Sequence, residues 1–328
     1  MQVGVADSVR PVLAASLQRR ALDGNQTRSA KPDSLAAMLR AMAVGKARIM
    51  HGRPNTGGKL ETMSNITPKK SLGQHWLHDV AVLAEIADAA TVNVHDTVLE
   101  IGPGLGTLTS VLLRRGARVI AVEFDRDLAA NLRRRVKGGV SLEAIDNLKI
   151  VESDILQFDL RQLPAGYKVV ANIPYYLTSN LIRILCESTN PFSQAALLIQ
   201  KEVAERVCAK PGAMSLLSVS AQYYCEVELD VFVPARLFTP PPKVNSQVLV
   251  LTKRPEPLFP GIDEKRFFRL VRAGFSRRRK TLVNALSGGL AIDKQDAARM
   301  VAAAGLQSSI RAQNLSLSDW KTLYNQLD

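Results

Sequence analysis

From residue 79 to residue 201 short β-rich runs alternate with segments of helical spacing, and this alternation restricts the possible folds more than any other feature of the chain. The runs are "TVLEI", "ARVIAVEF", "LKIVES", "YKVVANI" and "AALLIQK", preceded by the helical "VAVLAEIADAA". Strands separated by helices re-enter a sheet in the same direction, so the pattern predicts an α/β fold with a mostly parallel sheet covered by helices on both faces. Two later runs, "EVELDVFV" and "SQVLVLTK", are joined by the proline-rich "FTPPPKV" with no helix between them, which predicts an antiparallel edge. Beyond "KRPEPLFPG" the apolar spacing turns helical, through "EKRFFRLVRAGFSRRRKTLVNALS" and "LSLSDWKTLYNQL", and a small all-α C-terminal domain is expected there.

A chain of 328 residues, 46% hydrophobic, can bury one large core and a smaller one. No apolar run approaches the roughly 20 residues that cross a bilayer, and the N-terminus lacks the apolar core of a secretory signal. A cytoplasmic protein with no membrane partner is therefore expected. Cys186, Cys208 and Cys225 have no metal-ligand spacing and the four histidines do not cluster, so reduced thiols and no metal are expected. The net charge of +13 sits at the ends. Lys and Arg outnumber Asp and Glu by 10 to 4 over residues 1–62 and by 12 to 6 over 260–328, against 21 to 20 between them. Basic ends around a neutral middle fit appendages that meet a polyanion, or plainly solvated termini. Residues 1–62 have no sustained period and end in "HGRPNTGGKLET", which predicts a disordered extension. Met63 could itself be a natural start, and Asp7, Asp23 and Asp33 count against a transit peptide.

"VLEIGPGLGTLTSVLL" reads as strand, glycine turn and helix, with Gly102, Gly104 and Gly106 allowing a ligand close to the backbone. A dinucleotide fingerprint needs G-x-G-x-x-G, whose third small position would be Thr107, so that reading is weakened. The form E-x-G-x-G-x-G, opened by Glu100, instead resembles the S-adenosylmethionine loop of Rossmann-like methyltransferases. Glu123 closes the next strand, where a carboxylate can accept both hydroxyl protons of a ribose. Asp154 follows the third strand, where it could accept an amino proton from an adenine, with Ile155 against the ring. "NIPYY" ends the fourth strand on the same edge, which is where open parallel sheets bind ligands.

That last motif matches the signature of enzymes that methylate exocyclic amino groups. The amine of adenine is a poor nucleophile because its lone pair is delocalised, and it becomes tetrahedral and positive as it attacks. It needs acceptors more than a strong base. The Asn172 side-chain oxygen and the Ile173 carbonyl can accept its protons, Pro174 keeps the turn aimed, and Tyr175 can stack on the extruded base.

Taken with "KKSLGQHWLHD", "AVEFDRDLA", "ESDIL", "LLIQKEVAERV", "FTPPPKVNSQV" and "RAGFSRRRKTLVNAL", these motifs resemble the ribosomal RNA adenine dimethyltransferase family, from about Lys69 to the C-terminus. The resemblance implies a seven-stranded Rossmann-like methyltransferase sheet over residues 63–254, a helical RNA-binding domain over 255–328, and S-adenosylmethionine as cofactor. It implies two methyl transfers to N6 of each of two adjacent adenines in the 3′-terminal hairpin of 16S (small-subunit) rRNA, with a partly assembled 30S subunit as partner. A monomer is the default. Gln74, His75, Leu77, Gly102, Gly104, Glu123, Asp154, Ile155 and Asn172 fall at cofactor positions, and Asn172, Ile173, Pro174 and Tyr175 at target-base positions. The family usually has Gln-Asn-Phe-Leu where this chain has Gln74-His75-Trp76-Leu77, so His75 keeps the contact only if its backbone carries it. Tyr176 replaces a commonly polar residue and is expected to pack in the core. Lys201 and Glu202 are given the pocket edge and no chemistry. Arg277, Arg278, Arg279 and Lys280 are placed on a helix, where only some can face rRNA phosphates. A large-subunit rRNA methyltransferase and a non-catalytic nucleic-acid-binding relative are the competing readings.

Overall fold

The computed structural model describes Pro68, Lys69 and residues 72–327, so the extension expected over 1–62 and the start at Met63 lie outside the described residues. The described residues form one compact unit. The described chain opens with a two-residue strand, β1 (Trp76–Leu77), and α1 (Val80–Ala89), capped by the Asp79 carboxylate on the amides of Ala81 and Val82. Next come β2 (Thr97–Ile101), α2 (Thr107–Arg114), β3 (Arg118–Glu123), α3 (Arg126–Lys137), α4 (Leu142–Asp146), β4 (Leu148–Glu152) and β5 (Lys168–Asn172). The alternation ends with α5 (Thr178–Glu187), β6 (Gln194–Gln200), α6 (Lys201–Val207) and α7 (Leu216–Tyr224). Then follow β7 (Cys225–Val233), β8 (Phe238–Thr239) and β9 (Ser246–Lys253).

The main sheet has seven strands in the order β4-β3-β2-β5-β6-β9-β7. Its first five run parallel, and β9 lies antiparallel between β6 and β7, so the connection, which holds only a 3₁₀ turn over Ala235–Leu237 and β8, does produce the expected antiparallel edge. Alternation along each strand divides the core. Leu99, Ile101, Val169 and Ala171 face one layer of helices, while Val98, Val119 and Val170 face α1, α2 and α3. Strand order reverses between β2 and β5, which opens a crevice at the carboxyl ends of the strands.

The C-terminal helices are α8 (Glu264–Phe275), α9 (Leu282–Leu290), α10 (Lys294–Ala303) and α11 (Leu317–Tyr324). They continue the first core layer: Phe267 of α8 stacks on Tyr223 of α7 with ring centroids 5.2 Å apart, and Trp320 is fully buried against Gly274. One expectation fails here. Arg277–Lys280 lie on an exposed turn, not on a helix. α8 stops because the Ser276 hydroxyl donates back to the Ala273 carbonyl, the Lys280 amide closes a turn on the Arg277 carbonyl, and α9 restarts after Thr281. The reversal is enforced by packing: a side chain at Gly289 would meet the Ala273 backbone at 2.6 Å, so the two helices fold back closely on each other. Among the described residues no helix is long and apolar enough to cross a membrane.

Candidate active site

The crevice is a cavity of about 320 Å³, within the usual range for small-molecule sites, and its wall is built from the ends of β2, β3, β4 and β5. Gly102, at the end of β2, has φ +66°, and a Cβ there would meet nothing within 4 Å, so bare backbone faces the cavity. Gly106 is different from what its spacing implies. A Cβ on it would lie 2.7 Å from Val136 and 2.8 Å from Leu132, so this glycine lets α2 approach α3 and does not serve a ligand. Gly104 lies off the cavity wall, but its amide donates to Glu123 Oε2 at 3.0 Å.

Glu123 is 6% exposed and lines the cavity from the end of β3. Its other oxygen accepts the Asp125 amide at 2.9 Å, so two backbone donors fix the carboxylate while leaving lone pairs free. Burial pushes its pKa up, and the Asp125 and Gly104 amides oppose that rise. Asp154 stands across the cavity after β4, one oxygen accepting the Leu156 amide at 2.9 Å, with Ile155 buried beside it.

Asn172 ends β5. Its Nδ2 donates to the His75 backbone carbonyl at 3.0 Å, which fixes the amide plane and leaves Oδ1 as an acceptor. Ile173 and Pro174 follow on the wall. The Tyr175 hydroxyl shares a hydrogen bond with Ser246 Oγ at 2.9 Å, and its ring stacks near that of His75 at 6.0 Å. Tyr176 overturns its expectation. It is 64% exposed and lines the cavity mouth, because the 3₁₀ turn over Tyr175–Leu177 points adjacent side chains apart and sends only the first towards the sheet.

A strap formed by Lys69 and residues 72–77 covers one side. Lys69 Nζ pairs with Asp125 at 2.9 Å, the Lys69 amide donates to Gln74 Oε1 at 2.8 Å, and Gln74 Nε2 donates to Asp125 at 3.3 Å. The Gln74 side chain is thus engaged in holding the strap. Burial alone would raise the Asp125 pKa, but Lys69, Gln74 and the Leu128 and Asp127 amides outweigh it and hold the carboxyl below its ordinary value. His75 Nδ1 donates to the Pro240 carbonyl at 2.7 Å, and Trp76 lies against Gly104. Leu77 is buried off the cavity, its carbonyl accepting the Thr107 hydroxyl at 3.1 Å, and β1 pairs with β8.

The cavity therefore brings together Gln74, His75, Gly102, Glu123, Asp154, Ile155, Asn172, Ile173, Pro174 and Tyr175, and leaves out Leu77, Gly104 and Arg277–Lys280. Phe124 and Asp125 were not singled out by sequence, and Tyr176 was assigned to the core rather than to the cavity. Asp125 carried a signal, a carboxylate directly before an apolar helical run, and it is indeed the N-cap of α3. The residues present fit an adenosine-bearing ligand: bare backbone at Gly102, acceptors at Glu123 and Asp154, and an apolar face at Ile155.

A sequence model of the family described as ribosomal RNA adenine dimethylase matches residues 65–328. The chain is 40% identical over 268 residues to a protein of Dehalococcoides mccartyi (strain CBDB1) called ribosomal RNA small subunit methyltransferase A, covering 80% of this chain and 90% of that one. A protein of the same description from Streptococcus pneumoniae (strain ATCC BAA-255 / R6) is 39% identical over 273 residues, covering 80% and 92%. Among solved structures, a dimethyladenosine transferase from Plasmodium falciparum superposes with a TM-score of 0.63 at 28% identity, over 76% of this chain and 96% of that one. A 23S rRNA methyltransferase, ErmE, gives 0.61 at 29% identity, over 77% and 99%.

Proposed function

The chain belongs to the ribosomal RNA adenine dimethylase family, and from that premise we propose that it transfers methyl groups from S-adenosylmethionine to N6 of two adjacent adenines in the 3′-terminal hairpin of small-subunit rRNA. The product is N6,N6-dimethyladenosine. The observation that carries the reading is the Asn172 amide, anchored by the His75 carbonyl so that Oδ1 is presented at the end of β5 beside a cavity with carboxylates at Glu123 and Asp154.

When bound, S-adenosylmethionine supplies an electrophilic methyl group on a sulfonium sulfur. Glu123 accepts the ribose hydroxyls, Asp154 accepts from the adenine amine and Ile155 packs against its ring; His75 serves through its backbone, and Gly102 lets the ligand lie against the main chain. Asn172 Oδ1 and the Ile173 carbonyl accept the protons of N6 as it turns tetrahedral and positive. These acceptors are fixed before the reaction and act where charge develops, which is where preorganised dipoles count most. Pro174 aims the turn, and the Tyr175 ring stacks on the extruded base, an interaction worth about 1–3 kcal/mol. Residues 255–328 form the RNA-binding part, with Arg277, Arg278, Arg279 and Lys280 on an exposed turn that meets rRNA phosphates. The enzyme acts in the cytoplasm, as a monomer, on a partly assembled 30S subunit.

The 40% identity to small-subunit enzymes over 268 residues supports this substrate over large-subunit rRNA. The test is to incubate protein and S-adenosylmethionine with small subunits lacking the modification and to quantify dimethyladenosine in the digested rRNA by mass spectrometry. Product at the 3′-terminal hairpin, absent with Asn172→Ala, is expected. Cofactor binding without transfer to these subunits would reject the substrate assignment.

A further inference from the structure

Phe232 is a large apolar side chain, 48% exposed on the edge strand β7, and the ladder explains how it came to be outside. β7 pairs Leu229 with Leu249 but Phe232 with Gln247, so two residues oppose one and the strand bulges. Without the bulge Phe232 would face Ser246, in line with Val248 and Val250 of the second core layer. The extra residue hands the inward position to Val233, which is fully buried, and turns Phe232 to the opposite face. A one-residue shift of register exchanges the two faces of a strand, and bulges commonly re-aim side chains next to active sites.

Phe232 lies on the opposite face from the Ser246 side chain but at the same carboxyl edge of the sheet as the catalytic turn, where Gln200 at the end of β6 pairs with Ser246. Val233 pairs with Ser246, whose hydroxyl holds Tyr175, and Phe232 is the next residue back along the strand. Lys201 Nζ lies 5.8 Å from the Phe232 ring centroid, and the Lys201 amide donates to the Asn245 carbonyl, next to Ser246. Lys201 also pairs with Glu205 at 3.5 Å, and Glu202 and Asp230 share this edge. The mixed charge disfavours capture of phosphates and leaves the exposed π-face, beside one cation, as the feature a nucleic acid can use.

We propose that Phe232, with Lys201 beside it, is a stacking platform for an unpaired rRNA base flanking the target adenine. The inference rests on the rRNA reading above and adds to it a contact outside the methyl-transfer pocket. A base held there keeps the neighbouring nucleotide unstacked while the target adenine occupies the Asn172–Tyr175 turn. Every base has a π-face, so the platform fixes position and not sequence.

The experiment compares Phe232→Leu, Phe232→Ala and Phe232→Tyr with wild type in steady-state methylation of unmodified small subunits, alongside calorimetric binding of S-adenosylhomocysteine. Leu keeps apolar volume without a π-face, and the exposed edge position tolerates all three changes. Stacking predicts that Leu and Ala lower kcat/KM by about 5- to 100-fold, mainly through KM, that Tyr retains wild-type values, and that nucleoside binding is unchanged. Leu matching wild type would overturn the platform while leaving the rRNA reading intact, as would Tyr behaving like Leu. Wild type inactive on the subunits would overturn both.

Discussion

Replacing Glu100 by Gln tests the electrostatics of the glycine turn most directly. Glu100 sits on β2, 1% exposed, facing α2. Thr109 turns its hydroxyl and amide towards it, yet among the described residues neither carboxylate oxygen has a partner in hydrogen-bond geometry. Burial pushes its pKa from 4.5 to about 8, with the Glu123 charge adding to the rise. In the unfolded chain the carboxyl ionises above 4.5, whereas the folded protein keeps it protonated to about 8. Between those values the unfolded state binds fewer protons, so stability falls as pH rises. At 1.36 kcal/mol per pH unit the loss across this window approaches about 5 kcal/mol, and relaxation of the buried site brings it to roughly 2–5 kcal/mol. Gln cannot ionise, so Glu100→Gln removes this slope, although its amide brings a further N–H to satisfy, at roughly 1–3 kcal/mol. Urea denaturation at pH 5 to 8.5 reads the difference directly, because all other titrations are shared by the two proteins. The variant is expected to be the less stable at pH 5 and to gain on wild type steadily up to pH 8, with equal m-values. A difference between the two that does not vary with pH would refute the reasoning.

Asp125→Ala removes the N-cap of α3 and the Gln74 anchor, and is expected to lower stability by about 1–2 kcal/mol and to weaken S-adenosylmethionine binding through the loosened strap. Asp125→Asn keeps a capping oxygen and should lose less; equal losses in urea denaturation would show that the cap is not the main contribution. Replacing Arg277, Arg278, Arg279 and Lys280 together by Ala should weaken subunit binding and reduce the slope of log affinity against log salt by up to about 3–4, and an unchanged slope would remove this turn from the RNA surface.

Sequence made the sheet and its ligand edge legible because both depend on local patterns. β-rich runs at regular spacing gave the parallel strands, and acids at or just beyond strand ends gave Glu123 and Asp154, because both fall at the carboxyl edge of the sheet where the crevice opens. What escaped depends on contacts between distant parts of the chain. The side chain of Gln74 is tied to Asp125 and that of His75 to Pro240, neither of which lies nearby in sequence. Tyr175 and Tyr176 are chemically identical, and only the 3₁₀ turn decides which faces the sheet and which stands exposed at the cavity mouth. For Arg277–Lys280 the sequence did carry a signal: Thr281, an N-cap type directly before the apolar "LVNAL", marks the start of a new helix after the basic run.

The hydrogen bonds that hold the Asn172–Tyr175 turn also set when, during synthesis, that turn can be completed. Asn172 is oriented by a carbonyl 97 residues upstream, His75 by one 165 residues downstream, and Tyr175 by a hydroxyl 71 residues further on. A nascent chain that has extended only past Asn172 already holds the glycine turn and both carboxylates, but the strap has no Pro240 to dock on and Tyr175 no Ser246. The turn is therefore complete only once β9 has been made and inserted between β6 and β7.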